Sequence, residues 1–371
     1  MTQGSARFFV LQTTQEQEWK GVLAQVAQHD FYHLAEYHRL AEERGQGTAL
    51  LFVYCDGEYT IALPLLLRSV EESGGTPWSD ATSVYGYAGP LASHAGMPAS
   101  FVRNFQAALK EELVARRVVA VFSRLHPLIP QGGLLAGLGD CRPEGETVSI
   151  GLTLPPEAQR AQYRSSLKPR ISKLRREGLA CLRDCDKRHL PEFTAIYHQT
   201  MRRVNADSSY FFEPEYFTRL AGGLGPALEL FVVTFNEAVI AGGLFTICDG
   251  IVQYHLSGTG NDFLKLSPTP LIIDTVRLWA NDEGARVFHL GGGVGSKGDS
   301  LFHFKAGFSR QRNNFETWRW RVVPEIYDEL CEARLRADRL HGLEPVSADY
   351  FPAYRCPASP RAAAPREVAN T

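Results

Sequence analysis

The chain has 371 residues, of which 44% are hydrophobic and 22% charged. That composition describes a folded protein with room for two or three domains and excludes a disordered one. The net charge of -2 supplies no whole-protein attraction for nucleic acid, so any basic function is local.

The opening "MTQGSARFFVLQ" has no charged leader followed by a long apolar core. "EQEWKGVLAQVAQ" reads as a helix, and "FYHLAEYHRLAEERG" as a second one stopped by Gly45. "TALLFVYCDG" and "YTIALPLLLRSV" read as two strands around an Asp56-Gly57 turn. "ESGGTPWSDATS" reads as a loop, residues 101–117 as a helix and "VVAVFSRLHP" as another strand.

The second half repeats that order. "PPEAQRAQYRSSLKPRISKLRREG" is helical with an interruption at Pro169, and "LACLRDC" is a strand. "LPEFTAIYHQTMRRVN" and "EPEYFTRLAGGL" are helices. "LELFVVTFN", "AVIAGGLFTIC" and "IVQYHLSGT" are strands joined by tight turns at Asn236-Glu237 and Asp249-Gly250. A helix over about 268–283, the strand "RVFHL" and a final strand "NNFETWRWRV" complete it. Antiparallel meanders, each followed by one helix–strand crossover, predict an α+β fold. Residues 357–371 are rich in Pro and Ala and read as a disordered tail.

No apolar run reaches the roughly eighteen residues of a membrane span, so stable membrane insertion is not expected and a cytoplasmic location is. The seven cysteines are scattered, without metal-ligand spacing, and the eleven histidines form no HExxH. Free thiols in a reducing compartment, and no metal site, are the expectation.

Two motifs invite readings that their contexts deny. Gly293 to Gly298 fits GxGxxG, but a dinucleotide site also needs a helix opening at the third glycine within a βαβ unit. Asp299, Ser300 and a hydrophobic stretch follow instead, and the order Gly-Ser-Lys-Gly fails as a P-loop. Arg175 to Ala180 fits RxxGxA, the pattern with which ordinary GNAT acetyltransferases hold the pyrophosphate of acetyl-CoA at a strand–helix junction. Here it ends a helix, with Gly178 as the C-cap, and a helix C-terminus presents carbonyls rather than N–H groups.

Four ordered blocks carry a resemblance: "YRSSLKPRISKLRREG", "YHQTMRRVNADSSYFFEPEYF", "GGLFTICDGIVQYHLSGT" and "HLGGG" with "DSLFHFKAGF". With "FYHLAEYHRL", "ALPLLLR" and "YGYAGPL" before them, they resemble the FemAB-like branch of the GNAT superfamily, which includes the Fem-type aminoacyl transferases. The resemblance implies two tandem GNAT-like domains, 1–149 and 150–356, each a mixed, mainly antiparallel sheet flanked by helices, with a cleft between them. It implies amine attack on an activated acyl group, with aminoacyl-tRNA or acyl-CoA as donor substrate and no tightly bound cofactor. A non-catalytic GNAT-fold binding module is the other function class.

The same resemblance distributes roles. Phe304-Lys305, the "FK" of the last block, would supply the cation that stabilises the tetrahedral oxyanion. Gly291 to Gly293 and Gly295 would let the chain leave its strand sharply beside a ligand, with Lys297 facing solvent. Arg203 and Tyr210 would lie near the cleft, Tyr254 would face it from its strand, and Tyr85 and Tyr87 in "SVYGYAGP" would line the acceptor side. Alternation sets Gln253 and His255 on the other face of Tyr254's strand. Leu91, Ala92, Ser93 and His94 follow Pro90 where some Fem-type enzymes carry an acid, so no general base is assigned and a peptidoglycan acceptor is disfavoured. Residues 160–176 hold seven cations, among them Lys168, Arg170 and Lys173. They read as a phosphate anchor for tRNA, CoA or a nucleotide-linked amine acceptor.

Overall fold

The computed structural model describes residues 6–70, 77–293 and 298–360. Its strands are β1 (Arg7–Gln12), β2 (Thr48–Cys55), β3 (Thr60–Val70), β4 (Trp78–Thr82), β5 (Leu91–Ala92), β6 (Val118–Arg124), β7 (Asp140–Gly151), β8 (Ala180–Arg183), β9 (Leu228–Phe235), β10 (Ala238–Cys248), β11 (Ile251–Thr259), β12 (Val287–Gly291) and β13 (Arg312–Arg321). These form a single sheet in the order β1-β2-β3-β4-β6-β13-β7-β12-β11-β10-β9-β8, with β5 on β3. Two pairings are parallel, β4 with β6 and β11 with β12. Each is reached through one long helix, Ala99–Ala115 in the first half and Thr269–Asp282 in the second. The fold is α+β, and the repeated order read from the sequence is present.

The centre of the sheet joins the halves. β7 closes the first half yet pairs with β12 and β13 of the second. β13 also pairs with β6 of the first. Residues 149 and 150 both lie inside β7, so the chain passes from one half to the other within a strand.

The second-half strands are buried on both faces. In β9, Leu228, Leu230 and Val232 pack with the helices Leu190–Arg203 and Pro214–Leu224 and with Phe31 and Tyr37 of the first half. Phe231 and Val233 pack on the opposite side with the helices Leu167–Arg176 and Thr269–Asp282. A period-2 chain with apolar side chains at both parities requires such double cover. Asn236-Glu237 and Asp249-Gly250 all have positive φ, which matches the right-handed twist of the hairpins they close.

The structure corrects several sequence readings. The helix break falls at residues 162–166, not at Pro169, which sits in the first turn of Leu167–Arg176 where a missing N–H costs nothing. β1, β4 and β7 were not expected. β7 contains Pro143 and Gly145, residues that strands disfavour, but a register shift opposite Phe315 and Glu316 accommodates them inside a central strand. A helix, Ser300–Lys305, follows the glycine-rich segment, with the Asp299 carboxylate accepting from Phe302 N–H at 2.8 Å. Pro324–Leu340 forms a further helix, and residues 343–345 pair with 358–360. The rest of the expected tail, 361–371, lies outside the described residues, as do Gly295 and Lys297.

Candidate active site

β11 and β12 pair over only three positions, Ile251 with Val287 to Gln253 with His289, and then part. β11 continues along β10 to Thr259, while β12 continues along β7. Lys305 reaches the point of divergence from its helix. Its Nζ donates to Gly292 O at 2.8 Å, just past the end of β12, and lies 5.6 Å from the ring centroid of Tyr254 on β11.

The glycines make that approach possible. A Cβ on Gly291 would sit 3.2 Å from Lys305 Nζ, and one on Gly292 would sit 3.0 Å from Glu146 O. Gly291 also has φ +78, a conformation that side chains disfavour. At Gly291 and Gly292 the missing side chains thus keep a narrow place clear for one ammonium group.

Lys305 is 8% exposed. Burial lowers its pKa to about 8, with Asp299 pulling the other way. The group is thus a cation at neutral pH that loses its proton readily. Phe304 and Phe308 stack edge-on at 5.3 Å beneath the same helix, and Phe308 stacks on Tyr163 at 5.2 Å. Tyr254 is itself fixed, stacked on Phe245 at 5.3 Å with its hydroxyl donating to Ser257 Oγ.

The other expected residues fall into three groups. Tyr85 and Tyr210 meet edge-on at 6.0 Å, and Tyr85 lies 6.3 Å from His255, forming an aromatic wall between the halves. Tyr87 stands 5.7 Å from the His289 ring and 5.2 Å from Phe315, which brings it to the Lys305 side. Arg203 lies at the far end of β11, donating to Thr259 O at 3.1 Å and Asn261 Oδ1 at 2.6 Å.

The basic run is spent mostly on the protein itself. Arg160, Arg175 and Arg277 surround the buried Asp274 carboxylate at 3.9, 3.0 and 3.2 Å. Arg164 donates to His303 O at 2.8 Å and so ties this segment to the Lys305 helix. Arg170 donates to Leu266 O at 2.6 Å. Lys173, more than half exposed, meets Glu177 at 3.5 Å, and Lys168 reaches Ala161 O at 3.3 Å. The RxxGxA match is a helix end, as expected: Gly178 has φ +89 and Leu179 N–H donates to Leu174 O.

Sequence reasoning missed the polar residues between the two halves. Asp30, His126, Gln253 and His289 are buried and hydrogen-bonded in series. The available signal was alternation along β11, which set Gln253 opposite Tyr254. Among the described residues no group of three potential ligands could hold a metal, and no helix is long and apolar enough to cross a membrane.

Residues 161–306 match the family described as Acetyltransferase (GNAT) domain, a span that ends one residue beyond Lys305. No curated protein matches the chain. The solved structure of FemX is similar, with a TM-score of 0.65 at 14% identity, covering 84% of this chain and 96% of that one. The C-terminal domain of a putative lysylphosphatidylglycerol synthetase from Agrobacterium fabrum is similar at TM-score 0.54 and 12% identity, covering 83% and 92%. The L-PGS structure from Bacillus licheniformis reaches 0.52 at 13%, also covering 83% and 92%.

The chain has a tandem GNAT fold like that of FemX. Its residues 161–306 are an acyltransferase domain by the family match. The parting of β11 and β12 opens a crevice in the second half, with Lys305 at its apex. A strand–helix junction, the kind of place at which ordinary GNAT acetyltransferases hold a pyrophosphate, follows β11 at the start of helix Thr269–Asp282. That helix begins Pro268-Thr269-Pro270; Pro270 has no N–H, and Leu271 N–H is turned onto Pro268 O at 2.9 Å. Few donors remain there for phosphate.

Proposed function

We propose that this chain transfers an aminoacyl group from its ester on tRNA to the amine of a small-molecule or nucleotide-linked acceptor, in the cleft between the halves. The observation that carries the reading is Lys305, a buried cation held at the apex of the β11–β12 crevice. A preorganised ammonium in a dry site stabilises a tetrahedral oxyanion by on the order of 3 kcal/mol. Water exclusion by Phe304, Phe308 and Tyr254 keeps that interaction strong. The amine attacks the acyl carbonyl directly, with no covalent enzyme intermediate.

The choice of an ester donor over acyl-CoA rests on the proline-bounded helix start after β11, which lacks the N–H nest a pyrophosphate uses. The printed name of the Agrobacterium fabrum relative, a lysylphosphatidylglycerol synthetase, also involves an aminoacyl group. Acyl-CoA is the second reading, favoured by the acetyltransferase family match. Arg203, Tyr85 and Tyr210 would contact the acceptor, and Lys168 and Lys173 the donor's phosphates. Assays with total aminoacyl-tRNA and with acetyl-CoA, each against a panel of primary amines, test the reading. Amide formation from aminoacyl-tRNA supports it, and amide formation from acetyl-CoA alone overturns the donor.

A further inference from the structure

The buried polar series between the halves has a direction, and that direction ends in an unpaired nitrogen. Leu128 N–H donates to His126 Nδ1 at 3.1 Å, so His126 carries its proton on Nε2. That proton points to Asp30 Oδ2 at 2.9 Å. The Gln253 amide nitrogen donates to the same oxygen at 2.6 Å. A carboxylate can only accept here, so the Gln253 amide cannot be turned the other way. Its Oε1 then faces His289 Nδ1 at 2.6 Å and must accept from it. The proton of His289 is thereby fixed on Nδ1, and the lone pair on Nε2. That atom is buried and has no hydrogen-bond partner.

An unpaired buried acceptor is costly, by about 1–3 kcal/mol, and calls for an explanation. His289 lies on β12 two residues before Gly291, the residue against which Lys305 Nζ rests. Tyr87, only partly buried, lies edge-on against its ring at 5.7 Å.

Resting on the N-acyltransfer reading, we infer that His289 is the general base of the reaction, its Nε2 accepting the proton of the attacking amine while Asp30 and Gln253 position it. The neutral amine nitrogen bonds to the acyl carbon as Lys305 holds the oxyanion. His289 Nε2 takes one N–H proton. When the tetrahedral intermediate collapses, the C–O bond to the donor breaks and His289 returns the proton to the departing oxygen. The products are an amide and a free hydroxyl. Asp30 and Gln253 are positioning residues that fix the tautomer, as carboxylates and amides do for catalytic and metal-binding imidazoles.

The groups facing His289 favour the neutral ring. Burial lowers its pKa most, the neighbouring His126 ring and the Lys305 ammonium lower it further, and Tyr87 lies against the ring while Asp30 stands behind Gln253. The base is therefore free at neutral pH.

The test has two independent arms. Heteronuclear NMR of the full chain, with no substrate, reads the tautomer and titration of the His289 ring. The inference predicts a protonated Nδ1, a bare Nε2 and no protonation near neutral pH. A proton on Nε2, or a charged ring at pH 7, overturns it. The second arm measures transfer from whichever of aminoacyl-tRNA or acetyl-CoA the wild type uses. His289→Gln should lower kcat by about a hundredfold or more and remove the acid limb of the pH–rate profile, with donor KM little changed. Gln253→Ala, which frees the tautomer but leaves the imidazole, should lower kcat by about tenfold and shift that limb. If His289→Gln does not fold, Gln253→Ala and the ring NMR decide alone. A wild type active with a donor, and variants within threefold with unchanged profiles, sink the base assignment. No transfer by wild type from any donor sinks the underlying function instead, and the NMR result still stands.

Discussion

Lys305 Nζ donates to the carbonyl of Gly292 at 2.8 Å, across a turn in which any side chain at Gly291 would crowd it. Gly291→Ala should therefore disturb the lysine without touching its charge. A Cβ there lies 3.2 Å from Nζ on a backbone with φ +78. The expected result is a kcat loss of roughly tenfold or more with a stability loss of about 1 kcal/mol. Paired kinetics and urea unfolding check it; a large stability loss with no kinetic effect would count against the close-approach account.

The lowered pKa of Lys305 sets an alkaline limit. The ammonium is present below about 8 and is lost as pH rises through that value. Transfer should fall over the same range. Lys305→Arg keeps its charge at every accessible pH, so whatever activity it retains should show no decline near pH 8. A wild-type profile flat to pH 10 would mean that the charge is not needed.

The Asp274 cluster is a stability device. Asp274 and Arg277 are each 1% exposed, and Tyr163 Oη donates to the same carboxylate at 3.2 Å. Asp274→Ala leaves a buried guanidinium without its counter-charge, which costs about 3–5 kcal/mol. Equilibrium urea denaturation measures it. A cost below 1 kcal/mol would show that the arginines find other partners.

Salt response separates the donors. Neutralising four tRNA phosphates should weaken binding about a hundredfold between roughly 50 and 200 mM salt, and CoA binding far less. Lys168→Glu/Lys173→Glu changes two cations of the basic helix whose partners, Ala161 O and Glu177, lie in their own segment, and should flatten the tRNA slope. Arg170 is unsuited to that test, because it holds the turn at Leu266.

Exchange of central strands bears on where the chain can be cut. A fragment of residues 150–356 would lack nearly all of β7, the partner of both β12 and β13, and all of β6. It should be insoluble or unfolded by circular dichroism. A folded 150–356 would show that the second half is self-sufficient.

Much of this was readable in advance. The meander β9–β11 and its turns follow from apolar runs bounded by Asn236-Glu237 and Asp249-Gly250, because local turn chemistry dictates them. The FK block singled out Lys305 by resemblance, and the structure adds its burial beside the Gly292 carbonyl. β7 was not readable, since "CRPEGE" has turn residues and only pairing on both sides makes it a strand. The basic run suggested a ligand surface, whereas Arg160, Arg164, Arg170 and Arg175 meet acids and carbonyls from distant segments. His289 stood in plain view in "HLGGG", but its partners Gln253 and Asp30 lie 36 and, through Gln253, 223 further residues away in sequence. No local pattern encodes such a series.

The central claim is that Lys305 stabilises the transition state of N-acyl transfer. Steady-state kinetics of Lys305→Ala test it most directly. The account predicts kcat lower by roughly a hundredfold or more, with KM for both substrates changed by less than about threefold. A kcat within threefold of wild type, in a variant with an unchanged circular dichroism spectrum, would contradict it.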